Sequence, residues 1–299
     1  MLMLIDAAGL WYRSYYALPG SITAPDGRRS GAVRGFLDGL ATLVRDYSPD
    51  RLICCLEGNW RPQWRVELID TYKTARVGSD GGEDTPDGLD DQVQAITDIL
   101  RSWGIATAEH PDYEADDVIA TLRHNTDDEV VVVTGDRDLF QLVDDTARSS
   151  VVYLLRGISK ARRYRAEDVE EKFGVSPAEY VEFAILRGDA SDGLPGVTGI
   201  GDKGAATIVN RHPSLDSVVA AAEQGELKGR QNSAVLESSD YLRRAEQVTR
   251  CVSDVALPEV AGTIPRRPTD SRQLAALTEE WGIQLSVDRL AAAFGGGGT

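Results

Sequence analysis

Val130-Val131-Val132-Val133-Thr134-Gly135-Asp136-Arg137-Asp138 is the stretch on which the fold turns. Consecutive β-branched residues without polar alternation read as a strand buried on both faces, as in parallel sheets. Leu2-Met3-Leu4-Ile5 and Leu52-Ile53-Cys54-Cys55-Leu56 repeat the pattern. An amphipathic stretch from about Gly31 to Asp46 lies between these two runs, and another spans about Leu89 to Trp103, both long enough for crossover helices. Strand, helix, strand predicts an α/β fold with a mostly parallel central sheet flanked by helices. Such sheets bind ligands beyond the carboxyl ends of their strands. Asp6 directly follows the first run, Glu57 the second, and Asp136 follows the valines across Thr134-Gly135. Patterning alone therefore brings three carboxylates to one edge.

More carboxylates can join them. Asp112 is a suitable N-cap for a helix starting near Tyr113, which would set Glu114 and Asp117 on one face with Asp116 beside them. Asp138 follows Asp136, and Asp189 and Asp192 sit in Gly188-Asp189-Ala190-Ser191-Asp192. A lone Asp at a strand end is more simply a turn or cap. Together, Asp6, Glu57, Glu114, Asp116, Asp117, Asp136, Asp138, Asp189 and Asp192 would bury like charges that only cations or protons could relieve. Hard oxygen ligands suit two or more Mg²⁺ or Mn²⁺ ions, and paired divalent ions serve phosphodiester hydrolysis. No comparable set of His, Cys or Ser nucleophiles competes.

The 299 residues allow one large or two ordinary domains, and 42% hydrophobic with 27% charged residues is the composition of a folded soluble protein. From about Arg165 onward short helices with Gly, Pro and Ser turns take over, with 167–188 and 202–211 reading as helical. The expected division is an α/β core over 1–165 and a helical part over 166–299. Gly295-Gly296-Gly297-Gly298-Thr299 reads as a flexible end. The N-terminus lacks a signal segment, and no apolar run approaches the roughly 18 residues of a membrane span, so a cytoplasmic protein is expected. Cys54, Cys55 and Cys251 offer neither a disulfide framework nor a zinc spacing. A net charge of −16 opposes nucleic-acid binding in bulk, but carboxylates in a metal cage would have their local field inverted by the bound cations.

Gly199-Ile200-Gly201-Asp202-Lys203-Gly204 satisfies the dinucleotide-binding glycine spacing, yet it follows the turn-rich Leu194-Pro195-Gly196-Val197-Thr198 and not a buried strand. It reads better as a hairpin between helices whose amides face a DNA phosphate, with Lys203 nearby; the plainer alternative is a packing corner. In Trp60-Arg61-Pro62-Gln63-Trp64-Arg65, continuing to Tyr72-Lys73-Thr74-Ala75-Arg76, basic and aromatic residues interleave. Phosphate contact with base stacking and an ordinary amphipathic surface helix both fit that pattern. Val77 to Asp91 is Gly-rich and acidic, and reads as a mobile loop.

Taken together, these motifs resemble the 5′-nuclease family of bacterial flap endonucleases and the 5′-3′ exonuclease domain of DNA polymerase I. The resemblance runs from Leu4 to about Arg250. It rests on Tyr113-Glu114-Ala115-Asp116-Asp117-Val118, on Thr134-Gly135-Asp136-Arg137-Asp138-Leu139, and on Gly188-Asp189 through Asp192 to Gly199-Ile200-Gly201. It implies that Asp6, Glu114, Asp116 and Asp136 serve a first metal centre with Asp117 close by, and that Asp138, Asp189 and Asp192 serve a second. It implies that Lys73 and Arg76 are catalytic residues at the base of a helical arch near 60–95, which admits a single-stranded 5′ end. Arg65 and Tyr72 would lie against DNA. Gly196, Gly199, Gly201, Lys203 and Gly204 would belong to a helix-three-turn-helix gripping the duplex, in many members with a monovalent cation such as K⁺. Two departures stand out: Asp6-Ala7 where the family has Asp-Gly, and Leu56-Glu57 where it has Phe-Asp. The arch segment is also unusually acidic, with Asp80, Glu83, Asp84 and Asp87.

The expected activity is that of a free-standing, monomeric, structure-specific 5′-nuclease acting on DNA 5′ ends or flaps, with RNA:DNA ends open within the same class. One rival is a catalytically weak DNA-structure binder. Another is a phosphohydrolase of small esters, which would have no need of the helical hairpin.

Overall fold

A computed structural model of the chain describes residues 1–79, 81–155 and 157–295. Asp80 of the acidic stretch and Gly296 to Thr299 of the glycine tail lie outside the described residues. The strands are β1 (Leu2–Asp6), β2 (Arg51–Cys55), β3 (Ala106–Ala108), β4 (Val130–Thr134), β5 (Ser149–Tyr153) and β6 (Arg162–Tyr164). Before residue 165 the helices are α1 (Ala7–Ala17), α2 (Gly31–Tyr47), α3 (Gln63–Leu68), α4 (Leu89–Trp103) and α5 (Ala115–His124). After it come α6 (Ala166–Phe173), α7 (Tyr180–Arg187), α8 (Asp202–Val209), α9 (Leu215–Glu223), α10 (Gln231–Glu237), α11 (Ser239–Thr249), α12 (Ser271–Trp281) and α13 (Gln284–Gly295).

The apolar runs form the middle of a six-stranded sheet of order β3-β2-β1-β4-β5-β6. All neighbours are parallel except β6, which runs antiparallel to β5 at the edge. In register, Leu4 lies between Ile53 and Val132. Alternation along each strand divides two cores. Leu2, Leu4, Ile53, Cys55, Val130 and Val132 face α5, α7 and the helical part. Met3, Ile5, Leu52, Cys54, Val131 and Val133 face α1, α2 and α4. Strand order reverses between β1 and β4, so the crevice beyond their carboxyl ends is where a doubly wound sheet places its ligand.

Both crossover helices fall where the periodicity puts them, at α2 and α4. The stretch expected to be one helix over 167–188 is divided. Gly174, at φ +75°, ends α6, and a Ser176–Glu179 capping box with Pro177 starts the next helical turn. Within the arch stretch, helix is confined among the described residues to α3 and a 3₁₀ turn at Thr74–Arg76; residues 77–79 and 81–88 form a loop.

The last two helices do not stay with the helical part, which differs from the expected single unit over 166–299. α12 packs on α4 and α13 on α2. Trp281, Leu290 and Phe294 join the core that holds Trp103, with the Trp103 and Phe294 rings edge to face at 5.6 Å. Burial of an amphipathic face, not chain order, decides this placement. Leu290 is fully buried; Leu290→Ala should cost about 2–5 kcal/mol, read as a lowered urea midpoint.

Candidate active site

Asp6 ends β1 and caps α1. Its carboxylate accepts from the Gly9 amide (2.8 Å) and from the Thr134 hydroxyl (2.7 Å). A methyl group at position 9 would overlap that carboxylate, so the tight approach requires glycine. Thr134 also accepts from the Asp136 amide (2.9 Å), and the Asp136 carboxylate accepts from the Asp138 amide (2.8 Å). One hydroxyl thereby fixes the ends of β1 and β4 together. Arg13 adds a clamp on the same edge, donating to the carbonyls of Gly135 (2.8 Å) and Leu155 (2.9 Å). Ala7 replaces the family's glycine without strain, since it opens α1 in helical conformation and is absent from the positive-φ residues.

Glu57 follows β2 and accepts from the Ala115 amide (3.1 Å), the first of α5. Its longer side chain bridges β2 to that helix N-terminus. The helix begins later than expected: Glu114, not Asp112, is the N-cap, in a capping box with Asp117. Asp112 loses because the Glu114 carboxylate is held independently by Tyr72 (2.7 Å), Arg65 (3.0 Å) and Lys73.

Asp6, Glu57, Glu114, Asp116 and Asp136 line one cavity of about 670 Å³, together with Lys73 and Arg76. Burial pushes the Glu57 carboxyl up to about 8 and raises Asp6, and it lifts Asp116 well above the carboxylate range with the charges of Asp136 and Asp6 adding to it. Beside the cavity, burial and the charge of Asp136 lift Asp138 well above its ordinary value, with Asp192 and Asp189 contributing. Asp192 is pushed to about 6 by burial, against the pull of Lys73 and Arg76. Glu114 goes the other way: burial opposes its charge, but Lys73 and Arg65 outweigh that and hold it below the usual range.

Three expectations are corrected. Asp117 does not reach the cavity; its oxygens accept from Arg65 (2.8 Å each) and from the amides of Val252 and Glu114. Arg65 is 3% exposed and spends its guanidinium on Asp117, Glu114 and the Val248 carbonyl, so it points inward and not to the expected surface. Tyr72 is buried with its hydroxyl on Glu114, which leaves no face for base stacking. Lys73, at 6% exposed, adopts a left-handed φ of +49° and pairs with Glu114, while Arg76 pairs with Asp192 (2.5 Å).

The helical part is laced to this edge through the 188–196 loop. The Lys73 amide donates to the Asp192 carbonyl (3.0 Å) and the Thr71 hydroxyl to the Gly193 carbonyl (2.7 Å). Gly193, at φ +71°, lies so close to the Thr71 carbonyl that no side chain fits. Asp189 accepts from Ser191 (2.9 Å from the amide) and lies 3.6 Å from Arg187. Beyond the loop, Ile200 is buried while Gly199 and Gly201 open onto free space, Gly204 is half-buried, Gly196 packs on Arg187, and Lys203 is exposed at the start of α8.

Among the described residues, no group of three or more His, Cys, Asp or Glu side chains stands ready to hold a metal ion as they are placed. The donor set nonetheless fits divalent ions: hard oxygens only, several of them raised in pKa by burial and by neighbouring carboxylates. Asp6, Glu57, Asp116 and Asp136 are the residues that would hold such ions. Gly9, Arg13 and Thr134 complete the site, and composition carried no signal for Gly9 or Arg13.

Arg65→Met should leave Asp117 as an uncompensated buried charge, Glu114 still being held by Lys73, and cost about 3–5 kcal/mol in chemical denaturation. The raised carboxyls give a second expectation. Glu57 holds its proton in the folded chain up to about 8, against 4.5 ordinarily. The stability this contributes to the metal-free protein is full below about 4.5 and is lost as pH rises through about 8. Asp192 acts with the same sign around 6. Melts across this range, without and with Mg²⁺ or Mn²⁺, should show that loss and its reversal by ions that bind the deprotonated site.

Residues 1–174 match the family model for the 5′-3′ exonuclease N-terminal resolvase-like domain, and residues 175–272 that for the 5′-3′ exonuclease C-terminal SAM fold. The chain is 43% identical to the 5′-3′ exonuclease of Mycobacterium tuberculosis, covering 97% of this chain and 96% of that protein. It is 42% identical to the 5′-3′ exonuclease of Streptomyces coelicolor, over 96% and 98%. The flap endonuclease of bacteriophage T5, solved as a pseudo-enzyme-product complex with DNA and metal ions, shares the fold with a TM-score of 0.66 at 18% identity, over 98% and 97% of the two chains. Human GEN1, solved with Holliday junction DNA, gives 0.63 at 17% identity, over 98% and 71%. With the carboxylate-lined edge of its sheet and both family models matched in order, the chain belongs to the 5′-3′ exonuclease family.

Proposed function

We propose that this chain is a structure-specific 5′-nuclease that hydrolyses DNA phosphodiesters at 5′ ends and flaps, using Mg²⁺ or Mn²⁺. The observation that carries the reading is the convergence of Asp6, Glu57, Glu114, Asp116 and Asp136 on one cavity that also holds Lys73 and Arg76. Divalent ions held there would supply an activated water and neutralise charge on the leaving oxygen. Arg76 is the cation best placed to meet a phosphate, because its side chain is half-exposed where that of Lys73 is buried. Lys73 acts twice. It holds Glu114 in its charged form, and, lining the same cavity, its ammonium would lie beside the scissile phosphate. Asp138, Asp189 and Asp192 form the second cluster, on the side where the helical loop meets the sheet.

The hairpin is assigned to the duplex. Gly199 and Gly201 let a phosphate approach the backbone, Lys203 adds charge at the start of α8, and the same turn suits a K⁺ ion. One chain brings all these residues together, so a monomer suffices, and the buried free thiols of Cys54 and Cys55 suit the reducing cytoplasm.

An end-labelled 5′-flap duplex with Mg²⁺ or Mn²⁺ tests the reading. Metal-dependent cuts at the flap junction are expected. Asp136→Asn should lose cleavage and keep DNA affinity. Lys203→Ala should do the converse, weakening duplex binding and shallowing its salt slope by roughly one unit. Tight binding without cleavage under either metal would favour a DNA-structure binder instead.

A further inference from the structure

The stretch after Arg76 turns back on itself as a small hairpin. Val77 bridges Glu83 in antiparallel fashion, the Gly78 amide donates to the Gly82 carbonyl (2.8 Å), and the Asp84 amide donates to the Arg76 carbonyl (2.8 Å). Glu83 is thereby carried back over the site. Its side chain lines the large cavity together with Asp6, Lys73 and Arg76, and lines a second hollow with Tyr12 and Arg76. The Glu83 carboxylate meets the Tyr12 hydroxyl and feels the charges of Arg76 and Lys73. An anionic oxygen flanked by a phenol and a guanidinium is the arrangement a backbone phosphate would make there. Glu83 takes no part in the ligand set assigned above, and neither its burial nor its position is explained by packing against an apolar core.

We propose that Glu83 is a selectivity residue, presenting a carboxylate at the mouth of the cavity where a phosphate of an entering single strand would sit. The inference rests on the 5′-nuclease reading. A long single-stranded 5′ arm must displace Glu83 and bring phosphates past it, whereas a paired 5′ end at a nick reaches the carboxylate edge from the duplex side. The carboxylate therefore biases the enzyme against long flaps and toward paired or short 5′ ends. Charge is the operative property, so the bias weakens as salt screens it.

The test compares kcat/KM on two labelled duplexes in Mg²⁺, one nicked and one bearing a long single-stranded 5′ flap, for the unaltered chain, Glu83→Gln and Asp87→Asn. Asp87→Asn removes the same charge from the same segment, at a residue that lines neither hollow. Glu83→Gln should raise cleavage of the flap substrate roughly fivefold over the nicked one at low salt. The gain should shrink at high salt, and Asp87→Asn should not reproduce it. Equal gains on both substrates, no gain, or the same gain from Asp87→Asn would overturn the role of Glu83 while leaving the nuclease reading intact. Absence of cleavage on both substrates by the unaltered chain would overturn both. A thermal melt of Glu83→Gln that matches the unaltered chain confirms that the comparison reads the mouth and not the fold.

Discussion

Repulsion among carboxylates collected at one sheet edge is the constraint to which the surrounding structure answers. Asp6, Asp116 and Asp138 are all driven upward in pKa by burial and by the charge of Asp136. Two buried cations keep the neighbouring Glu114 charged, and Arg65 alone neutralises Asp117 behind it. The arrangement sorts the acidic residues into two groups. Asp117, paired with Arg65, builds the wall; Glu114, held by Arg65 and Lys73, lines the cavity beside Asp6 and Asp116, which have no such cation. An edge held together in this way is poised to take up positive charge, which is the property a hydrolytic phosphodiesterase needs.

The same constraint explains why the helical part is joined to the sheet where it is. The loop carrying Asp189 and Asp192 docks on the backbone of Thr71 and Lys73, and the fit is close enough to demand glycine at 193. Lys73 occupies a left-handed conformation at this junction, a local cost sustained by the contacts on both sides. Helical part and cavity are thus coupled through a few hydrogen bonds, so movement of the 188–196 loop relative to the sheet would be felt at Lys73 and Arg76.

The sheet centre was legible because β1, β2 and β4 are uninterrupted apolar runs, and α2 and α4 because their apolar faces repeat at helical spacing. β3, β5 and β6 were not, since Ala106-Thr107-Ala108, Ser149-Ser150 and Arg162-Arg163 lack that signature and become strands by pairing with a neighbour. At the site, the strand-end positions of Asp6, Glu57 and Asp136 follow from the sheet. The burial of Arg65 does not, because its acidic partners lie 49 and 52 residues away and a basic residue beside tryptophans reads locally as surface. By residue type Asp112 was the better cap, and only the tertiary partners of Glu114 displace it.

The adjacent thiols in β2 give the fold a property unrelated to its chemistry. Cys54 belongs to the core beneath α2 and α4, and Cys55 to the core shared with the helical part. Burial holds both thiols protonated and unreactive while the sheet is intact. Each reacts with a thiol reagent only when its own side opens, so two neighbouring residues act as separate clocks for the breathing of the two faces of one sheet.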